Sequence, residues 1–242
     1  MILYVNGCSH TAAAEAVVPD AFAIDDGKYG IDRRPHPTNL AASWCTHVAN
    51  SLGAELVCEA ESGGSNPRIL RTTREWITAN PDKLNDTLII LQWTTWEREE
   101  WPHNSRWYQV NASGLDWVPD ELKQRYMEFI VDIDWTQKTQ QAHNDIWQLH
   151  QELVNKSIRH LFFSGHSTFS DIQPQLNWGR HYMDPYLREG SYHNWLAQNG
   201  GTYANPDSYH FDAKSHRLWA DRVLQYINRN QILDPVNEIS VN

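Results

Sequence analysis

The chain has 242 residues, with 30 acidic side chains against 20 basic ones and a formal net charge of −10. That balance argues against a protein that neutralises nucleic-acid phosphates or that holds a membrane surface through basic residues. Because 40% of the residues are hydrophobic and 12% are aromatic, the composition excludes a disordered chain. A chain of this length can bury its own core, and we expect one domain over residues 1–242.

The sequence contains no apolar stretch near the ~20 residues that a membrane-spanning helix needs. It begins with a short apolar run, Met1 to Val5, which is typical of a strand and not of a secretion signal. Cys8, Cys45 and Cys58 fit neither a CxxC metal site nor a disulfide framework. We therefore expect a protein of the reducing cytoplasm. No His, Asp and Glu set has the spacing of zinc ligands, so no metal or cofactor is expected.

Apolar runs of strand length alternate with stretches of helical spacing along the chain. An alanine run after the first strand can also start a helix. Such alternation predicts βαβ units, hence an α/β fold: a three-layer αβα sandwich around a central parallel sheet, flavodoxin-like in type. The predicted strands are residues 1–6, 54–58, 87–92 and 158–163, and the predicted helices are residues 40–52, 69–79, 136–154 and 214–228.

Residues 93–135 interrupt this alternation after the third predicted strand, with Pro102, Gly114 and Pro119 as breakers. We expect a Trp-rich insertion that forms a lid or a partner surface, because aromatic faces at the mouth of a crevice suit sugar rings or acyl chains. Plain packing beneath the insertion is the alternative. Half of the chain's 12 tryptophans fall in it: Trp93, Trp96, Trp101, Trp107, Trp117 and Trp135.

In a parallel sheet, ligands bind at the carboxyl ends of the strands. Ser9 follows the first predicted strand, where backbone N–H groups and a helix dipole can stabilise a developing oxyanion; a helix N-cap is its alternative role. Asp207 and His210 form a DxxH pair before the terminal helix. The spacing can bring the carboxylate beneath one imidazole nitrogen while the other nitrogen faces a serine. We expect His216 to pack in the core and Asp212 to cap the terminal helix.

Three short motifs carry a family resemblance. Gly7-Cys8-Ser9-His10 follows the first strand, Ser62-Gly63-Gly64-Ser65-Asn66 follows the second, and Asp207-Ser208-Tyr209-His210 precedes the last helix. In this order and placement they resemble the motif blocks of the SGNH (GDSL-type) hydrolases. The resemblance implies an SGNH-type fold with Ser9 as the nucleophile, His210 as the base, Asp207 as the residue that orients it, and the Gly63 N–H as an oxyanion donor.

The chain departs from that family pattern at two places. Cys8 stands where an Asp precedes the nucleophile, and the asparagine that follows the third strand as an oxyanion donor is absent. Thr94 or Thr95 falls at its position, and a hydroxyl can substitute less rigidly. Asn66 is a second candidate donor, with capping of the following helix as its alternative role.

Four further residues have weaker assignments. His166 follows the fourth predicted strand and is the expected additional substrate contact. Cys8 is expected to point inward as a small core residue, with nucleophilic attack as the alternative. His10 either lines the pocket or lies at a surface or helix start. Arg98 either holds an anionic group or belongs to a solvated charge cluster with the acids around it.

The resulting prediction is a serine ester hydrolase, a carbohydrate or acyl esterase or deacetylase, that acts on a small-molecule or glycan ester. The alternative is a catalytically silent SGNH-like binding module, which the absent asparagine after the third strand and the aromatic insertion both favour. Short SGNH-like chains of this type resemble reading frames of tailed bacteriophages. That alternative predicts a virion-associated protein. A homo-oligomer or virion assembly is the expected form of association, without nucleic acid or membrane partners.

Overall fold

The structure, a computed structural model, describes residues 1–22, 34–112, 114–115 and 118–235. A central sheet, a separate hairpin and seven α-helices make up its regular part. The strands are β1 (Ile2–Asn6), β2 (Glu55–Cys58), β3 (Thr87–Trp93), β4 (Glu99–His103), β5 (Arg106–Val110), β6 (Arg159–Ser164) and β7 (Tyr182–Met183). The helices are α1 (Pro37–Ala41), α2 (Trp44–Leu52), α3 (Asn66–Ala79), α4 (Lys123–Val131), α5 (Trp135–Asn155), α6 (Tyr192–Gln198) and α7 (Ala213–Arg229).

The five strands of the central sheet are parallel and lie in the order β2-β1-β3-β6-β7. Counted along the chain within this sheet alone, the order is 2-1-3-4-5, which is that of flavodoxin-like folds. After β2 is added on one side of β1, the next strand, β3, is added on the other side, so the strand order reverses at β1. In such sheets the crevice for a ligand opens at the carboxyl ends of the two strands at this point, β1 and β3. The predicted α/β fold class is confirmed.

Helices cover both faces of the sheet, so alternate residues of each strand enter two different cores. On one face, Leu3, Val5 and Phe163 pack with α2, α6 and α7. On the other face, Tyr4 and Phe162 pack with α3 and α5. These two cores make the three layers of the predicted sandwich.

The alanine run after β1 does not form the predicted helix. Residues 10–15 are turns, and Ala13 and Glu15 have φ of 53° and 64°, in the left-handed region that interrupts a helix. The predicted helix 40–52 is also divided in two, because Ser43 caps α2 by accepting a hydrogen bond from the N–H of Thr46. β7 and α6 lie in a stretch whose sequence carried no clear periodicity.

The Trp-rich insertion contains the antiparallel β4–β5 hairpin and α4, which enclose a small core of Trp101, Val110, Val118 and Tyr126. Trp93, Trp96 and Trp101 are buried, so packing accounts for half of this tryptophan cluster. Trp107 and Trp135 are 37% and 54% exposed, and Trp117 lies outside the described residues. None of the described helices combines the length and the hydrophobicity needed to cross a membrane.

Candidate active site

A cavity of about 720 Å³ opens at the carboxyl ends of the central strands. The loops that follow β1, β2, β3 and β6 all contribute to its wall, together with the turn before α7. We call this the central cavity. Its lining includes Ser9, His10, Glu15, Ser62, Gly63, Thr95, Glu97, Arg98, His166, Asp207, Ser208 and His210.

Ser9 lies in a tight turn that follows β1. The Asn6 side chain accepts a hydrogen bond from the N–H of Gly7 at 2.8 Å, and the carbonyl of Cys8 accepts from the N–H groups of Thr11 and Ala12 at 3.0 Å. Ser9 itself is 7% exposed and faces the central cavity. Because no helix starts here within the described residues, the expected helix dipole and N-cap role of Ser9 are both wrong. Cys8 is fully buried, as predicted.

The loop of residues 61–64 packs against this turn. The N–H of Glu61 donates to the carbonyl of Gly7 at 3.2 Å. A Cβ on Gly64 would lie 2.8 Å from the Glu61 carbonyl oxygen and 3.1 Å from that of Gly7, so only glycine fits there. Gly63 has φ of 83°, which a residue with a side chain rarely adopts, and it lines the central cavity beside Ser9.

Asn66 and Thr94 take structural positions. The Asn66 amide accepts from the N–H of Thr94 at 2.9 Å and donates to the carbonyls of Thr94 and Thr95 at 3.3 Å, which ties the start of α3 to the end of β3. Thr94 is fully buried, whereas Thr95 reaches the central cavity and donates its hydroxyl to Glu97 at 2.9 Å. The helix cap expected of Asn66 is supplied by Ser65.

His210 has two acceptors at Nδ1. An oxygen of the Glu15 carboxylate lies 3.3 Å away, and the hydroxyl of Ser208 lies 3.4 Å away. The Ser208 hydroxyl also donates a short hydrogen bond to Glu15. We infer from these partners that Nδ1 carries the proton, which leaves Nε2 free as a base. Burial lowers the pKa of His210 and the Glu15 carboxylate opposes that effect, so the imidazole is neutral at neutral pH.

The carboxylate next to His210 is thus Glu15 and not the expected Asp207. Asp207 is exposed, and its backbone N–H donates to the Asn205 side chain at 3.0 Å. Among the described contacts, none joins its carboxylate to His210. Asp207 is an exposed member of the cavity lining, whereas Glu15 supplies the carboxylate contact to His210. The DxxH spacing alone could not distinguish this arrangement from a triad.

His10 and His166 meet on the floor of the central cavity. Their Nε2 atoms are 2.6 Å apart, and the ring of His166 lies 4.5 Å from that of His193. Burial and the neighbouring histidines lower the pKa of His10 and bring that of His166 to about 3, so both rings are neutral. His10 is only 4% exposed because it packs between His166 and Tyr192, which excludes the surface position that was its alternative.

Arg98 belongs to the cavity wall and not to a solvated cluster. Its side chain is 20% exposed, and its guanidinium donates to the Gly64 carbonyl at 3.3 Å. Its positive charge contributes to the low pKa of His10, His166 and His210. Among the described residues, no group of three or more His, Cys, Asp or Glu side chains has an arrangement that could hold a metal ion.

Sequence reasoning missed Glu15 and Ser208. Glu15 is an acid inside an apolar run, Ala12-Ala13-Ala14-Glu15-Ala16, and that isolated charge was the one signal available for it. The sequence did identify the cap and the packed histidine of α7. Asp212 accepts from the N–H of Ser215 at 2.8 Å, and His216 is 1% exposed.

Comparisons with known proteins give only distant likenesses. A family of unknown function (DUF6071) matches residues 32–147, a range that contains neither Ser9 nor His210. Among solved structures, the chain is similar to the psychrotrophic esterase EstA from Pseudoalteromonas sp., with 8% identity and a TM-score of 0.46, over 94% of this chain and 97% of that one. No curated protein matches the chain.

A second solved structure is the acetyl xylan esterase Est2A from the rumen bacterium Butyrivibrio proteoclasticus. It shares 12% identity and a TM-score of 0.48 with this chain, over 95% of this chain and 64% of that one. The chain therefore spans less than two thirds of that esterase. Both likenesses are weak, and the family match covers less than half of the chain.

Proposed function

We propose that the protein is a serine ester hydrolase with Ser9 as the nucleophile and His210 as the general base. The observation that carries this proposal is that Ser9, Gly63 and His210 line one cavity at the carboxyl ends of the parallel strands. A serine hydroxyl needs an adjacent base to become a nucleophile at neutral pH. We assign that role to His210, because it lines the same cavity as Ser9 and its Nδ1 partners leave Nε2 unprotonated.

The reaction divides into two steps. The Ser9 oxygen attacks the ester carbonyl carbon while its proton passes to His210 Nε2; the protonated His210 then returns the proton to the departing alcohol. Water, deprotonated by the same nitrogen, hydrolyses the acyl-serine, and the acid leaves with Ser9 restored. In each step the carbonyl oxygen becomes an oxyanion, for which the backbone N–H groups of Ser9 and Gly63 are the proposed donors.

The oxyanion hole that we propose relies on backbone donors. Thr94 is fully buried, and the Asn66 amide is engaged by the carbonyls of residues 94 and 95. Loss of one oxyanion donor costs about 10²–10³ in rate. We therefore expect a slow hydrolase in which contacts to the substrate offset part of the rate lost with the third oxyanion donor. His166 on the cavity floor is one such contact.

We further propose that the alcohol part of the ester is hydroxylated, as in an acetylated saccharide. A second groove of about 480 Å³ shares His166 with the central cavity. Its wall combines the half-exposed indole of Trp135 with hydroxyl, amide, carboxylate and guanidinium groups, which suit a polar ring with one apolar face. These groups belong to Ser167, Thr168, Ser170, Asp171, Arg188 and Asn194.

Labelling with a fluorophosphonate probe tests the nucleophile. We expect the probe to label the wild type and not Ser9→Ala, and to label His210→Ala at least about 100-fold more slowly because general-base catalysis is lost. Ser62→Ala is the matched control, since Ser62 lines the same cavity, and it should be labelled. Equal labelling of all variants, or none of the wild type, would contradict the proposal. Acetyl release from an ester panel then ranks saccharide esters against simple alkyl esters.

The alternative function is a catalytically silent, glycan-binding module, for example in a virion. The observation that favours it is that Thr94 after β3 is buried, while the hydroxyl of Thr95, which reaches the central cavity, is engaged by Glu97. A silent module predicts retention on a glycan array by both the wild type and Ser9→Ala, without probe labelling of either. An esterase predicts labelling that depends on Ser9.

A further inference from the structure

The turn after β1 carries an acid as well as the candidate nucleophile. Glu15 lies six residues beyond Ser9, has φ of 64°, and lines the same cavity. Residues with side chains rarely adopt this conformation, and where they do, the surrounding structure holds them there, often at functional sites. Ala13, with φ of 53°, makes the neighbouring bend. Together the two bends direct the Glu15 side chain back toward the turn before α7.

Three contacts hold the Glu15 carboxylate at His210. One of its oxygens lies 3.3 Å from His210 Nδ1 and also accepts the hydroxyl of Ser208. Ser208 is fixed in turn, because its oxygen accepts the backbone N–H of His210 at 2.9 Å. Burial alone would raise the pKa of Glu15, but the bond from Ser208 and the proximity of His210 bring it below its ordinary value. The carboxylate is therefore ionised beside the imidazole.

We infer that Glu15 is the positioning carboxylate of His210, so that the turn after β1 supplies both the nucleophile and the acid that orients the base. This inference rests on the proposed ester hydrolysis for its catalytic meaning. Glu15 acts through His210: it holds the proton on Nδ1 and stabilises the imidazolium that forms when Nε2 takes the proton of Ser9. Asp207 also lines the central cavity, but it is exposed, and none of the described contacts joins its carboxylate to His210.

The charged groups around His210 affect its pKa, which can be measured to test this inference. The titratable and charged groups that face it are Glu15, Arg98, His10, His166 and His216. Glu15 is the member of this group that raises the pKa of His210, while burial and Arg98 lower it. Removal of the Glu15 charge must therefore lower the pKa of His210 further, and removal of the Asp207 charge must not.

The test compares Glu15→Gln with Asp207→Asn in two measurements. The first is the pH profile of kcat/KM with a small ester; we expect Glu15→Gln to lose at least about 100-fold on the plateau, since the equivalent change in a serine protease costs about 10⁴, with its acidic limb moved to lower pH. The second is the NMR titration of the His210 imidazole, assigned by its absence in His210→Ala, where we expect the same downward movement. Asp207→Asn should show the smaller rate loss and no movement of the titration.

Glu15→Asp keeps the charge on a shorter side chain and is the second variant, for the case that Glu15→Gln does not fold. It should titrate closer to the wild type than Glu15→Gln and recover part of the rate. If Asp207→Asn gives the larger rate loss and the titration shift, the inference is overturned. If the wild type lacks esterase activity, the proposed function fails, and the titration still decides which carboxylate pairs with His210.

Discussion

Arg68 and Glu61 form an ion pair that is almost completely removed from water. The Arg68 Nε lies 2.7 Å from a Glu61 carboxylate oxygen, and the side chains are 5% and 0% exposed. Arg68 also donates to the Glu59 carbonyl at 2.7 Å. Because Glu61 begins the loop that contains Gly63, this buried pair joins α3 to the loop that presents the proposed oxyanion donor.

Arg68→Met should destabilise the protein by about 3–5 kcal/mol, because it removes the buried cation that lies 2.7 Å from the fully buried Glu61 carboxylate. Arg74→Met is the matched control: Arg74 pairs with Glu152 at 2.7 Å, but both side chains are more than 40% exposed, and surface pairs contribute about 0–1 kcal/mol. Urea denaturation measures both changes. Equal losses of stability in the two variants would show that burial does not determine how much the Arg68–Glu61 pair contributes to stability.

At the scale of single residues, the sequence located the loops of the central cavity better than the contacts within it. Ser9, Gly63 and His210 were predictable because they lie next to strand ends or a helix start, which local patterns mark. Glu15 was not, because its approach to His210 depends on left-handed conformations at Ala13 and Glu15. Alanine and glutamate rarely adopt a left-handed conformation, so neither residue type indicated one in the sequence.

The β4–β5 hairpin is joined to α3 by a chain of polar contacts. Gln109, on β5, accepts the N–H of Ser65 at 3.0 Å and donates to Glu100 at 3.1 Å. Glu100, on β4, accepts from Arg71 of α3 at 2.7 Å. Since Ser65 caps α3 two residues after Gly63, the hairpin helps to hold the loop that lines the cavity.

Gln109→Ala should therefore loosen this loop. It leaves the buried N–H of Ser65 without its acceptor, a loss of about 1–3 kcal/mol, and we expect faster hydrogen exchange of the Ser65 amide together with that drop in stability. The control is Gln124→Ala, whose side chain bonds to Glu128 on the exposed face of α4 and which should change neither quantity. Unchanged Ser65 exchange in Gln109→Ala would rule out this role of the hairpin.

At the scale of elements, long apolar patterns were predictable and short ones were not. The strands β1, β3 and β6 differ from their predicted bounds by a residue because each is a buried run. β7 has two residues, too few to show a period. The hairpin in the insertion pairs Trp101 with Tyr108 and Pro102 with Trp107, and its proline masked the strand pattern.

In the molecule as a whole, neutral histidines are built into both cores and the cavity. His160 Nδ1 is 2.8 Å from the Ile158 carbonyl, which can only accept, so in neutral His160 the Nε2 atom accepts from His150 Nδ1, 2.9 Å away. His216 Nδ1 accepts the N–H of Trp44 at 3.3 Å, so it cannot carry a proton there. Burial lowers the pKa of all of them, to about 4 for His150 and about 3 for His216.

These pKa shifts predict an early loss of stability in acid. An unfolded histidine binds a proton near pH 6.5, whereas the folded ones bind it near pH 3–4. Between those limits the unfolded state holds more protons, so stability falls as pH falls, and at about pH 5 each such histidine removes about 2 kcal/mol. The stability that a few such histidines remove together is therefore a large part of the roughly 5–15 kcal/mol by which a folded domain is stable.

Urea denaturation between about pH 8 and pH 5 checks this expectation, because most carboxylates titrate below that window. We expect a stability that is flat above about pH 7 and declines steeply below it. His216→Asn, which keeps an acceptor for the Trp44 N–H, should be less stable at neutral pH but should decline with a slope smaller by about one proton. A wild-type stability that stays constant down to about pH 5 would mean that these histidines are accessible to protons in the folded protein, contrary to their burial here.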